Sequence, residues 1–254
     1  MGIKKIGLTL VVVTALAAVM ASSALGAATT GKSQWYVGGV ALANNASKEV
    51  TCKSTGNLTL EGTVLGLKTK LTATGVECVE SKIEQVEVEN AKKEKEKMAI
   101  DSGKLRFTGV TVDEPEGCSV TGGTVTTEKL NTFVQMDGAK VYDKFQPALG
   151  ETFVKIPITG CAIAGNIPVT GTDFGLATHL NAKEETVNNL TGEEFAQQML
   201  TFSGKINEEA GGALKLGGNT ATLTGTADNE VVEFKEVEGK KVHVNIGAFG
   251  AKEN

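Results

Sequence analysis

FVKIPITGCAIAGNIPVTGTDFG, residues 153–175, decides the fold class. Val154, Ile156 and Ile158 share one face of this stretch, and Phe153 and Lys155 the other. That is the period of two expected of a half-buried strand. Cys161 follows at once. Gly165-Asn166 then separates two short apolar pairs, Ile163-Ala164 and Ile167-Pro168. Both residues tolerate positive φ, so the spacing predicts a two-residue hairpin at Gly165-Asn166. A strand, a cysteine anchor and a tight turn belong to an antiparallel β fold. None of them carries catalytic chemistry.

The same period recurs outward in both directions. Leu58, Leu60 and Val64 alternate with Thr59, Glu61 and Thr63, and Leu67 to Leu71 alternate again. Leu130, Thr132, Val134 and Met136 alternate with Asn131, Phe133 and Gln135, and Asp137-Gly138 follows as the strongest short hairpin signal in the chain. Residues 35–42 read as a first strand. Residues 90–97, NAKKEKEK, read as an exposed hairpin tip. The phase slips at Gly109, which predicts a β-bulge there. Thr191-Gly192-Glu193-Glu194 has the form of a capping box, with Phe195 and Met199 at helical spacing behind it. Gly interrupts the apolar runs every 8 to 12 residues or so, the spacing of a sandwich or barrel. The expectation is an all-β chain: a single β-sandwich or irregular barrel of many short antiparallel strands, with Greek-key-like packing and at most one short helix. No break in composition divides residues 29–254.

The amino terminus is organised differently. Lys4 and Lys5 precede an apolar run over residues 6–20, and small residues follow over 21–28. This is the order of a secretory signal peptide, with cleavage expected between residues 24 and 28. Such a cut removes two lysines and no acid, so the mature chain is more acidic than the −5 of the full sequence. An acidic surface argues against nucleic acid as a partner, because that binding rests on Lys and Arg meeting phosphates. No second apolar run is long enough to form a membrane-spanning helix. A secreted or cell-envelope location is expected, with an unknown envelope or extracellular component as partner.

Cys52, Cys78, Cys118 and Cys161 make an even number in a chain expected to be exported, where disulfides are the default state. Three pairings exist. Sequence proximity favours Cys52 with Cys78 and Cys118 with Cys161. A zinc site needs close ligand pairs, and no two of these cysteines are closer than 26 positions.

Four segments together resemble a group of uncharacterised secreted actinobacterial β-rich proteins: GKLRFTGVTVDEPEGCSV (103–120), TVTTEKL (124–130), ITGCAIAGNIPVTGT (158–172) and GGALKLGGNTATLTG (211–225). The resemblance implies an exported β-rich protein. It transfers no active site.

Motifs with catalytic meaning fare poorly. Gly26 to Ser33 spells G-x-x-x-x-G-K-S, but the expected signal cleavage falls in or beside it and no strand–helix alternation follows. His179 and His243 read as surface residues, not as catalytic bases. The pairs Glu184-Glu185, Glu193-Glu194 and Glu208-Glu209 diverge along their own elements. Asp113, Glu114 and Glu116 crowd one turn beside Cys118, without a calcium-loop pattern. Trp35 and Tyr36 face opposite ways on a strand, so one belongs in the core and the other is a candidate ligand contact. No cofactor, metal or catalytic residue is implied. The expected role is non-enzymatic, binding or structural. The rivals are a secreted hydrolase built from scattered Asp, Glu and His, and a closed barrel holding a small apolar ligand, as lipocalin-like barrels do. A fourth reading, an outer-membrane barrel, is disfavoured because aromatics make up only 5% of the chain. The interior decides among the first three. A filled core fits a structural role, an apolar cavity fits ligand binding, and a cleft of converging acids fits hydrolysis.

Overall fold

Eight antiparallel strands close on themselves. They are β1 (Lys53–Val64), β2 (Leu67–Glu89), β3 (Lys95–Thr108), β4 (Leu130–Asp137), β5 (Lys140–Pro147), β6 (Asp173–Asn181), β7 (Phe195–Phe202) and β8 (Thr222–Glu230). Each pairs with the next, and β8 returns to β1 with Leu223 opposite Leu60. The computed structural model describes residues 33–37, 40–89, 93, 95–137, 140–181, 186–187, 195–230, 232–237 and 240–245. The strands follow one another around the ring in chain order, so the barrel is a meander and needs no Greek-key crossover.

Period-two alternation sets which side chains fill the ring. On β5, Val141, Asp143 and Phe145 point inward, and Tyr142 and Lys144 outward. On β6, Asp173, Gly175 and Ala177 point inward, and Phe174 and Leu176 outward. The inward apolar residues Val134, Val141, Ala177, Leu200 and Ala227 form one core cluster with Trp35 and Leu58. On the outer face, Tyr142, Phe174 and Leu176 pack against Ile206 and Ala210 of helix α1 (Gly204–Ala210). Strand Ser47–Thr51 and the hairpin Val232–Val237/Lys240–Asn245 extend the sheet from the far part of β2.

Three connections, β3 to β4, β5 to β6 and β7 to β8, leave the same end of the barrel. They supply a second, five-stranded sheet from Ser119–Val120, Thr152–Thr159, Gly165–Thr170, Lys215–Leu216 and Asn219–Thr220. Ile156, Ile158, Val169 and Leu216 of this sheet pack on Val64, Leu71 and Leu130 of the barrel, so it caps that end. The Cys118–Cys161 disulfide lies within the cap, and Cys52–Cys78 ties the start of β1 to β2. Both are the pairings that sequence proximity favours.

The opposite end receives the chain that precedes β1. β3 and β4 pair only as far as Ile100 opposite Phe133. Beyond that point Ser33 bridges them: its amide donates to Lys97 O, its hydroxyl donates to Val134 O, and that hydroxyl accepts from Ala99 N. Gln85, fully buried on β2, donates to Ser33 O and accepts from the Trp35 amide. The Trp35 indole donates to Ile100 O at 2.9 Å.

Several local expectations are corrected. The hairpin in the opening stretch turns at residues 160–164, not at Gly165-Asn166, which are the first residues of the returning strand and pair with Ile158 and Pro157. Gly160 takes φ +85, and Ile163 inserts fully buried beneath the turn. Burying Ile163 outweighs the local preference of Gly-Asn. Phe153 is buried beside Val154, because the register shifts between Thr152 and Val154. Phe195–Phe202 is a strand, hydrogen-bonded on both edges, and the capping-box residues 191–194 lie outside the described residues. The helix comes next: the Ser203 hydroxyl caps it by accepting from Ile206 N, and Gly211 ends it at φ +82.

Gly109 is a bend and not a bulge. Its φ of +59 turns the strand while the register against β2 is kept, from Thr108 opposite Gly75 to Thr111 opposite Thr72. A shift does occur between Val79 and Lys82. There a Cβ on Gly103 would lie 2.8 Å from the Ser81 Cα, closer than real side chains come, so only glycine fits. The first predicted strand folds back as Tyr36–Val37 against Val40–Ala41. The charged tip is shorter than expected, because Lys95 to Lys97 already pair with Glu89 to Glu87.

Candidate functional site

The barrel interior is not filled. A cavity of about 200 Å³ runs between Trp35 at one end and Phe153, Ile156 and Leu214 of the cap region at the other. Eight strands leave room for packed side chains or for one small ligand. The reason for the space is visible at mid-barrel. Leu105, Phe107, Phe145 and Leu223 point inward and touch both the barrel cluster and the cap cluster, yet each is only partly buried. Their remaining surface faces the cavity. Phe145 and Phe202 lie with ring centroids 5.9 Å apart across its wall.

Three carboxylates interrupt this apolar lining: Asp101, Asp143 and Asp173. Their placement follows from register. Asp101 stands opposite Thr132, Thr132 opposite Phe145, and Phe145 opposite Asp173, one row across β3 to β6. Asp143 stands one inward position along β5 from Phe145, diagonal to Asp173. The Thr132 hydroxyl donates to Asp101, whose carboxyl is nonetheless pushed up to about 6 by burial. Burial pushes Asp173 up to about 7, partly offset by a bond from the Phe174 amide. Asp173 is 4% exposed, and its Oδ2 has no hydrogen-bond partner among the described residues. A buried oxygen left in that state costs free energy unless something in the cavity supplies a donor.

The residues singled out from sequence distribute as follows. Trp35 lines the cavity, 2% exposed; the side chain of Tyr36 lies outside the described residues. Cys52 and Cys78 also line the cavity, as a disulfide. Of the P-loop-like motif only Ser33 is described, and its hydroxyl is used between β3 and β4. The side chains of His179 and His243, and the pairs Glu184-Glu185 and Glu193-Glu194, fall outside the described residues. Glu209 pairs with Lys140 and Lys205 on the barrel exterior. Asp113 accepts from Thr72 at 2.6 Å and from Thr111, and Glu114 pairs with Lys68, so this acidic turn is engaged with its own strands. Among the described residues no group of three His, Cys, Asp or Glu is placed to hold a metal ion.

Sequence reasoning missed the three aspartates. A signal for two of them existed. In Val141-x-Asp143-x-Phe145 and Asp173-x-Gly175-x-Ala177, a carboxylate occupies the apolar phase of a strand.

Comparisons with family models, with curated proteins and with solved structures found no match.

Proposed function

We propose that this chain is an exported binding protein whose barrel holds a small, mostly apolar ligand. The observation that carries the reading is the cavity: inward-facing Leu, Val and Phe side chains line an unfilled interior instead of packing it. Close packing is the rule for domain cores, so space kept open at the centre of a barrel calls for an occupant. An apolar cavity of about 150 Å³ takes a benzene ring, so about 200 Å³ fits a single ring or a chain of roughly eight carbons. The hydrolase reading gains three acids but finds no histidine among the described lining residues.

The single tryptophan of the chain lines this cavity, so its emission reports occupancy without a label. Titration with medium-chain alcohols or alkylbenzenes is expected to change Trp35 emission saturably and to raise the melting temperature with ligand concentration. A set of such compounds that leaves both signals flat would end the reading.

Export is supported by the signal-like amino terminus and by four paired cysteines, which persist in oxidising compartments. N-terminal sequencing of the native protein is expected to start between Leu25 and Thr29. A start at Met1 or Gly2 would refute it.

A further inference from the structure

Resting on the reading above, we infer that the ligand carries a protonated nitrogen, held by the carboxylate of Asp173 with Asp143 and Asp101 on the same wall. The three sites offered by the cavity differ in kind. Most of the lining is apolar and selects only size. Lys104, the one basic side chain among the described lining residues, is committed to Glu80 at 2.8 Å, an exposed pair on the β2–β3 seam. The aspartates alone give the interior a sign, and that sign is negative.

Asp173 is the anchor for two reasons. It is buried, and its Oδ2 lacks a donor among the described residues while bordering the cavity. Among the described residues it also has no cationic neighbour on the inner face: Lys144, opposite Phe174 on the adjacent strand, sits on the outward face, over the Phe174 ring. A carboxylate in this setting lacks both a second hydrogen bond and a countercharge. An ammonium group at the end of a small apolar body supplies both, and its hydrocarbon part fills the space beside Phe145 and Leu223. A ligand carboxylate would face three acids. A neutral alcohol would satisfy the hydrogen bond but not the charge. Facing Asp173 from the other walls are Asp101 of β3 and Asp143 of β5, while the Lys104 side chain is turned outward to Glu80; the cap sheet and the strands β1, β7 and β8 contribute no charged lining residue among those described.

The experiment compares n-octylamine, 1-octanol and octanoate against the full mature protein, by Trp35 emission and by calorimetry, at pH 5 and pH 8. At pH 8 octylamine is expected to bind about tenfold or more tighter than octanol, since its ammonium adds a countercharge to the hydrogen bond that either ligand can give the carboxylate, and octanoate should bind weakest. At pH 5 burial keeps Asp173 and Asp101 protonated, and the amine-to-alcohol ratio should fall toward one. In Asp173→Asn the ratio should fall at pH 8 as well. Equal affinities for amine and alcohol in the native protein at pH 8, or a preference unchanged in Asp173→Asn, overturn the inference while leaving a ligand-binding barrel in place. No binding by any of the three overturns the reading beneath it.

Discussion

Asp173→Asn is expected to raise the melting temperature at pH 8 and to leave it nearly unchanged at pH 4. The argument is one of linkage. In the unfolded chain Asp173 titrates near 3.8, and in the barrel burial holds it at about 7. Well below pH 3.8 the group is neutral in both states and contributes nothing. As pH rises from 4 to 7 the unfolded state loses its proton while the folded state keeps it, so stability falls across this window and then levels off. A gap of about three units corresponds to a loss on the order of 4 kcal/mol above pH 7. Asparagine has the same shape and no charge, so the loss disappears with the carboxylate. Thermal melts of both proteins at pH 4, 6 and 8 test this directly. A variant less stable than the native protein at pH 8 would show that the native carboxylate is well satisfied and would remove the anomaly. A stabilising substitution inside a cavity is also the mark of a group kept for binding, since proteins lose stability where a site holds strain or unpaired charge.

The opposite sign is expected for the cap disulfide. Cys161→Ser should lower the melting temperature sharply, Cys118→Ser by a similar amount, and the double variant by little more than either one. The bridge closes a loop of 43 residues that includes β4, β5 and the first strand of the central hairpin. In the chain-entropy model that closure contributes about 3 to 4 kcal/mol, a large share of the roughly 5 to 15 kcal/mol by which a domain is stable. It also fixes the turn that buries Ile163, so the cap should loosen before the barrel does. Denaturant melts followed by Trp35 emission, at the far end from the bridge, and by circular dichroism separate the two events. Single-variant losses that simply add in the double variant would show that the two sulfurs are not bonded to each other.

Strand content was legible because a half-buried strand writes its own period. Val154, Ile156 and Ile158 face one way in the sequence and in the cap. Asp137-Gly138 announced the β4–β5 turn, with Asp137 opposite Lys140. What was not legible depends on partners distant in sequence. Gly165-Asn166 looks like a turn until Ile163 is seen to need a floor. Phe195–Phe202 carries helical spacing until two neighbouring strands supply its hydrogen bonds. Ring closure could not be read, since it needs Leu223 beside Leu60 and no local pattern encodes that. The cavity was invisible for the same reason: Leu105 and Phe145 look like ordinary core residues, and only the completed ring shows that part of each is left facing open space.

The seam between β1 and β8 has a kinetic meaning. Thr224 reaches the carbonyl of Thr59, 165 positions earlier, and the strands on either side of that seam come from the beginning and the end of the barrel sequence. Seven strands can pair in chain order, each with the one before it, but the eighth must find the first. Contacts of such long range make folding slow, because the entropy of the intervening chain is lost before the contact is made. Until β8 docks, with residues 222–225 against β1 and 225–230 against β7, those two strands are both unpaired edges with Leu58, Leu60 and Leu200 beside them, the kind of surface on which chains associate. The cavity therefore comes into being in one late step, and a chain stopped short of β8 has neither an interior nor protected edges.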